Sequence, residues 1–202
     1  MKTIGSTIIM LALASSLFAD NGKELKLASP DGTHEIVFYQ KQVSPAVNEL
    51  CYRVDYKSQP VVNESRAGLE LDNRIWEMAL GVRNLKQPAC WMDNLEVDSV
   101  TYQLETNLTW QPLYGERSSV RDHYRAGTLC LSKKDNSGYR LNIEVRAYNE
   151  GVAFRYFFPE HPKAIFHKVV GDLTEYALPA GTKAWTEQSL CPLFSPCFCA
   201  CR

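Results

Sequence analysis

Glu144-Val-Arg-Ala-Tyr-Asn-Glu-Gly-Val-Ala-Phe-Arg-Tyr156 decides the fold. Read with the residues before it, Leu141, Ile143, Val145 and Ala147 fall on one side of an extended chain. Asn142, Glu144, Arg146 and Tyr148 fall on the other. Asn149-Glu-Gly151 is a turn signal, after which Val152–Phe158 resumes as an apolar and aromatic strand. Pro159 ends it, because proline cannot donate to a sheet ladder.

Working outward, the same grammar recurs. Lys134-Asp-Asn-Ser-Gly138 is a hairpin loop between Gly127–Lys133 and Tyr139–Tyr148. Near the N-terminus, Ser29-Pro-Asp-Gly32 is a tight turn, with Pro presetting φ and Gly tolerating a positive one. It separates strands at Glu24–Ala28 and His34–Gln40. Glu49–Tyr56 sets Leu50, Tyr52, Val54 and Tyr56 against Cys51, Arg53 and Asp55, and Lys57-Ser-Gln-Pro60 turns it into Val61-Val62. Leu69–Leu71 and Glu96–Leu104 read as further strands, and Leu178-Pro-Ala-Gly181 as a turn leading into Thr182–Glu187. Ile75–Asn84 is the one candidate helix; Gly81 weakens that reading, and a strand or loop fits equally. Many short strands with turn punctuation predict an all-β, antiparallel sandwich.

Residues 1–19 have the form of an export signal: Lys2, an apolar run from Ile4 to Leu17, then Ala19. That run is shorter than the ~20 residues a membrane span needs, so no span is expected once the signal is cleaved. Residues 20–188 are long enough for one domain with its own core. A formal net charge of −1 gives no basic footprint for nucleic acid. Cys51, Cys90 and Cys130 are widely spaced in apolar contexts and read as buried strand residues. Residues 189–202 break the composition: four of the seven cysteines lie there, at 191, 197, 199 and 201. The Cys-x-Cys-x-Cys spacing fits poorly with structural zinc sites, which pair cysteines two to four residues apart.

Trp110-Gln-Pro-Leu-Tyr-Gly-Glu-Arg117 has the composition of a sugar-binding loop. Trp110 and Tyr114 could stack on the apolar face of a pyranose, while Glu116 and Arg117 take its hydroxyls. A structural turn whose Glu116 and Arg117 pair with neighbours is the alternative. Asp122 and His123 are adjacent in extended chain and point to opposite faces, which excludes a dyad between them. Trp185 and Glu187 lie just beyond a glycine turn, where a carboxylate can meet sugar or Ca²⁺ or simply sit on the surface. No phosphate loop, dinucleotide fingerprint or nucleophile elbow occurs.

Taken in order, Ser29-Pro-Asp-Gly32, Tyr114-Gly-Glu-Arg117, Arg121-Asp-His-Tyr124, the Glu144–Tyr156 block and Leu178-Pro-Ala-Gly-Thr-Lys-Ala-Trp185 resemble the N-terminal domain of glycoside hydrolase family 97. The resemblance is collinear from Leu25 to Gln188 and implies a galactose-mutarotase-like super-sandwich from a secreted α-glucosidase or α-galactosidase, periplasmic or extracellular. It implies a (β/α)₈ catalytic barrel that this sequence lacks, so the chain is expected to stop before it. An active-site Ca²⁺ is implied too, with Glu187 as the ligand from the sandwich. Glycoside hydrolysis needs two carboxylates flanking the scissile bond, roughly 5 to 9.5 Å apart, and no residue here is nominated as catalytic. The expected role is to complete a sugar site for α-linked oligosaccharides; the alternative is a stand-alone secreted sugar-binding module.

Overall fold

The computed structural model describes residues 23–45, 47–72, 91–133, 138–161 and 166–183. The expected signal, the candidate helix, Cys90, Trp185, Glu187 and the cysteine-rich tail lie outside them. The described residues form eleven strands and no helix: β1 (Glu24–Ala28), β2 (His34–Ser44), β3 (Val47–Tyr56), β4 (Gln59–Arg66), β5 (Leu69–Leu71), β6 (Leu95–Tyr102), β7 (Thr106–Trp110), β8 (Val120–Lys133), β9 (Arg140–Tyr148), β10 (Gly151–Phe157) and β11 (Val169–Asp172). All pairings are antiparallel. One sheet runs β1-β2-β3-β4, a second runs β10-β9-β8-β6 with β7 also on β8, and β11 pairs with β5.

The core sits between the two larger sheets. Leu141, Ile143, Val145 and Ala147 of β9 are buried together, as their alternation predicts. Opposite them lie Leu25, Leu27, Ile36, Phe38, Leu50, Tyr52 and Val54. Phe154 of β10 bridges the layers, its ring centroid 5.2 Å from both Phe38 and Tyr52. On the other face of β3, read from sequence as mostly polar, Cys51 is buried too. The side chains of Glu49, Glu64 and Arg66 crowd beside it, and burial pushes its thiol up from the ordinary range.

Ser29-Pro-Asp-Gly32 folds as expected and also ties the sheets together. Gly32 N–H donates to the Ser29 carbonyl at 2.9 Å, and Gly32 takes φ +73°. The Asp31 carboxylate accepts from Ser29 Oγ at 2.6 Å, from Thr33 N–H at 3.0 Å and from Thr33 Oγ1 at 2.8 Å. Asp31 N–H donates to Asn149 Oδ1 in the turn between β9 and β10 (3.1 Å), and the Arg125 guanidinium of β8 donates to the carbonyls of Ser29 and Pro30. The β3–β4 connection is tighter than expected. Only Lys57 and Ser58 turn, both at positive φ (49° and 61°), and Gln59 and Pro60 already belong to β4.

Two strands were not expected, β7 and β11, and β8 begins at Val120 rather than Gly127. Beyond β11 the chain continues beside β4 and β5: Leu173 N–H donates to the Gly68 carbonyl, Glu175 N–H to the Arg66 carbonyl and Asn63 N–H to the Ala177 carbonyl. Residues 182–183, which follow the Leu178–Gly181 turn, are not in a strand.

Ile143→Ala removes three buried carbons from the centre of the core and is expected to cost about 2–5 kcal/mol in urea unfolding. Asp31 supplies a pH-dependent contribution. Hydrogen bonds, first from Ser29 and then from Thr33, hold its folded pKa at about 2, below the ordinary 3.8. Its stabilisation is therefore present above the ordinary value and is lost as pH falls toward about 2. Asp31→Ala should lower Tm at neutral pH, and the gap to the parent should close across that acid interval.

Candidate functional site

The segment singled out for sugar contact is carried on an antiparallel arm that leaves the body of the sandwich. Thr106–Trp110 pairs with Val120–Tyr124, and the Trp110–Arg117 stretch forms its tip. Register assigns its faces: Leu108 stands opposite Asp122 and Trp110 opposite Val120, while Asn107 opposes His123 and Thr109 opposes Arg121.

The second of these faces is polar and internally paired. Glu105 meets His123 Nε2 at 2.7 Å and accepts from Arg125 Nε at 3.0 Å, and Arg121 Nε donates to Asn107 Oδ1 at 2.9 Å. These partners, His123 first, hold the Glu105 carboxyl below its usual range. Arg125 also carries the contacts to the Ser29–Pro30 turn, so one guanidinium joins the arm to the β1–β2 turn. Across the sheet, Tyr124 packs on Tyr148 at 5.2 Å, with the Arg146 guanidinium 4.5 Å above Tyr124.

The other face and the tip are apolar and open. Trp110 is 53% exposed, Leu108 63%, Tyr114 91% and Leu113 fully exposed. Gly115 takes φ +124°, the one point in the tip where only glycine is at ease. Glu116 and Arg117 have no ion pair or hydrogen bond among the described residues, so the turn-stabilising pairs weighed from sequence do not form there. The arm therefore presents two aromatics, a carboxylate and a guanidinium outward, all unspent. Trp185 and Glu187 lie outside the described residues and are not placed relative to the arm. Among the described residues no three His, Cys, Asp or Glu side chains converge to hold a metal ion.

Sequence reasoning excluded an Asp122–His123 dyad, and the register agrees: the two point to opposite faces. It missed the Glu105–His123 contact, which joins residues 18 apart through the arm's register. The alternation of Asn107 and Thr109 with Leu108 and Trp110 was the available signal. An acid hydrogen-bonded to two basic side chains is a structural link; it offers no second carboxylate for glycoside chemistry.

A second open feature lies along β10. A cavity of about 1030 Å³ runs between this strand and the 172–176 segment, floored by Ile36, Val54 and Val62. Tyr156 Oη lies 2.6 Å from Thr174 Oγ1, and Tyr52 Oη donates to the Glu175 carbonyl, also at 2.6 Å.

The family description "Glycosyl-hydrolase 97 N-terminal" matches residues 27–193. A retaining alpha-galactosidase of Bacteroides thetaiotaomicron is 26% identical over 178 residues, which are 88% of this chain and 22% of the relative. A glycoside hydrolase family 97 enzyme from Pseudoalteromonas sp. strain K8, solved in complex with acarbose, superposes with a TM-score of 0.61 at 26% identity. The match covers 77% of this chain and 20% of that one. A beta-arabinopyranosidase, 18% identical with a TM-score of 0.60, shares the fold. The chain spans about a fifth of the length of these relatives.

Glu105→Gln weakens the charge-assisted contacts that brace the arm. Amide exchange in residues 106–110 and 120–124 should accelerate at neutral pH while the core amides of β9 stay protected. The difference should vanish in acid, because the depressed Glu105 stabilises only where it is ionised.

Proposed function

The chain belongs to the glycosyl-hydrolase 97 N-terminal family, and on that footing we propose that it is the exported, site-completing β-sandwich of an α-glycosidase. The observation that carries this reading is the matched span, residues 27–193, which aligns with about a fifth of a glycosidase and shares its sandwich. The acarbose complex of one relative supports α-linked oligosaccharides as the substrate class.

In this reading residues 1–19 direct export, and the sandwich presents the Trp110–Arg117 tip to sugar. Trp110 and Tyr114 stack on pyranose faces, and Glu116 and Arg117 bind hydroxyls; the outward exposure of all four, and the lack of partners for Glu116 and Arg117 among the described residues, support these roles. Trp185 adds a further aromatic contact. Glu187 contributes one oxygen ligand to a Ca²⁺ that the rest of the enzyme completes, since the described residues assemble no ligand set of their own. Bond cleavage belongs to the (β/α)₈ barrel, which supplies the acid and its partner carboxylate.

The test is a chimera in which this chain replaces the matching segment of the Bacteroides thetaiotaomicron enzyme, assayed on an aryl α-galactoside. The chimera should turn over, and the isolated chain should not. Trp110→Ala should raise KM by up to about tenfold with kcat little changed, as expected for losing one aromatic stack of about 0.5–1.5 kcal/mol. A folded chimera without activity would sink the reading. Tight oligosaccharide binding by the isolated chain alongside an inactive chimera would favour a stand-alone sugar-binding module.

A further inference from the structure

Among the described residues the second sheet ends at β10, whose outer edge carries unpaired backbone. β10 pairs with β9 through all seven of its residues, and no described residue hydrogen-bonds to the backbone of its other edge. A strand left this way presents a row of unmet N–H and C=O groups. The side chains show the same incompleteness. On β9 the inward residues are fully buried, whereas Val152, Phe154 and Tyr156 on β10 are only half-buried. Across the gap, the first sheet extends further than the second. Tyr56 and Val61 are exposed and Val62 is half-buried, although all three border the cavity that Ile36 and Val54 floor.

These features lie side by side. We propose that the β10 edge and the adjoining groove accept one more β-strand, supplied by the portion of the family's polypeptide that this chain does not align with. A strand hydrogen-bonded to β10 would turn every second side chain toward the first sheet, over Val54, Tyr56, Val61 and Val62. That requires a segment of about six to eight residues with alternating apolar and polar side chains. Its inward set is aliphatic, because aromatic rings already occupy the floor at Tyr52 and Phe154. At the groove's rim Glu150, Arg155 and Asp172 would meet polar flanks.

The source follows from the coverage: relatives carry this sandwich within chains of which it is about a fifth. The inference rests on the family reading but not on the sugar roles proposed above. It also separates the two open surfaces. The arm is paired on one face and free on the other, whereas the outer edge of β10 has no backbone partner among the described residues.

The experiment uses the purified chain and overlapping 15-residue peptides tiling the Bacteroides thetaiotaomicron enzyme downstream of the matched region. Expected is one peptide, or two overlapping neighbours, that slows amide exchange at alternate residues of 151–157 at least tenfold and raises Tm. The same peptide N-methylated at alternate backbone positions should lose both effects while keeping its side chains. The inference is overturned if no peptide protects 151–157. It is also overturned if protection survives N-methylation, or if protection appears without peptide and grows with protein concentration, which would make a second copy the occupant. An inactive chimera with peptide protection intact would overturn the proposed function alone. An active chimera with no protection would overturn only the added strand.

Discussion

Four side chains on one face of β9, Leu141, Ile143, Val145 and Ala147, set the terms for everything else. They alternate without exception, so a slip of one residue would turn all four to solvent and expose polar neighbours to the core. That penalty fixes the pairing of β9 with β8 and β10. Register on β8 in turn fixes where β6 ends, where β7 begins, and which face of the arm carries Trp110. A hydrophobic choice in the middle of the second sheet thus determines the aim of an exposed loop far from it.

The sheets are also joined by polar contacts, and these concentrate at one turn. Ser29-Pro-Asp-Gly32 binds its own Asp31, reaches Asn149 in the β9–β10 turn, and receives Arg125 from β8. Apolar packing is tolerant of small rotations between layers; hydrogen bonds to carbonyls are not. The core holds the layers together, and this turn sets their relative position at the end where the arm departs.

Much of the fold was legible because one face of most strands is simply apolar. β2, β3 and β9 could be read from alternation, β10 from its apolar and aromatic run, and the first hairpin from Pro and Gly. β7 could not, because Thr106, Asn107 and Thr109 lack a buried partner to impose a pattern, and both of its apolar residues, Leu108 and Trp110, face water. β11 is four residues long and includes Gly171, too short for periodicity to speak. The turn after β3 was legible at Lys57-Ser-Gln-Pro60, but its two-residue length was not, because Lys57 and Ser58 adopt positive φ without glycine. At the candidate site, composition singled out the Trp110–Arg117 stretch. The braces behind it join Glu105 to His123 and Arg125 through pairing alone, and one sequence does not display pairing. The half-filled groove beside β10 was likewise invisible, since Val61 and Val62 read like any buried pair.

The double duty of Arg125 makes the arm a lever. Five paired residues extend it by about 17 Å, and its fulcrum is the guanidinium that also grips Ser29 and Pro30. A tilt of about ten degrees at that fulcrum would carry the tip sideways by about 3 Å, several times the tolerance of about 0.5 Å that functional groups are held to. Small changes in the β1–β2 turn are thus magnified at Trp110 and Tyr114. The precision of these outward-facing residues is set by a tight turn at the lever's opposite end.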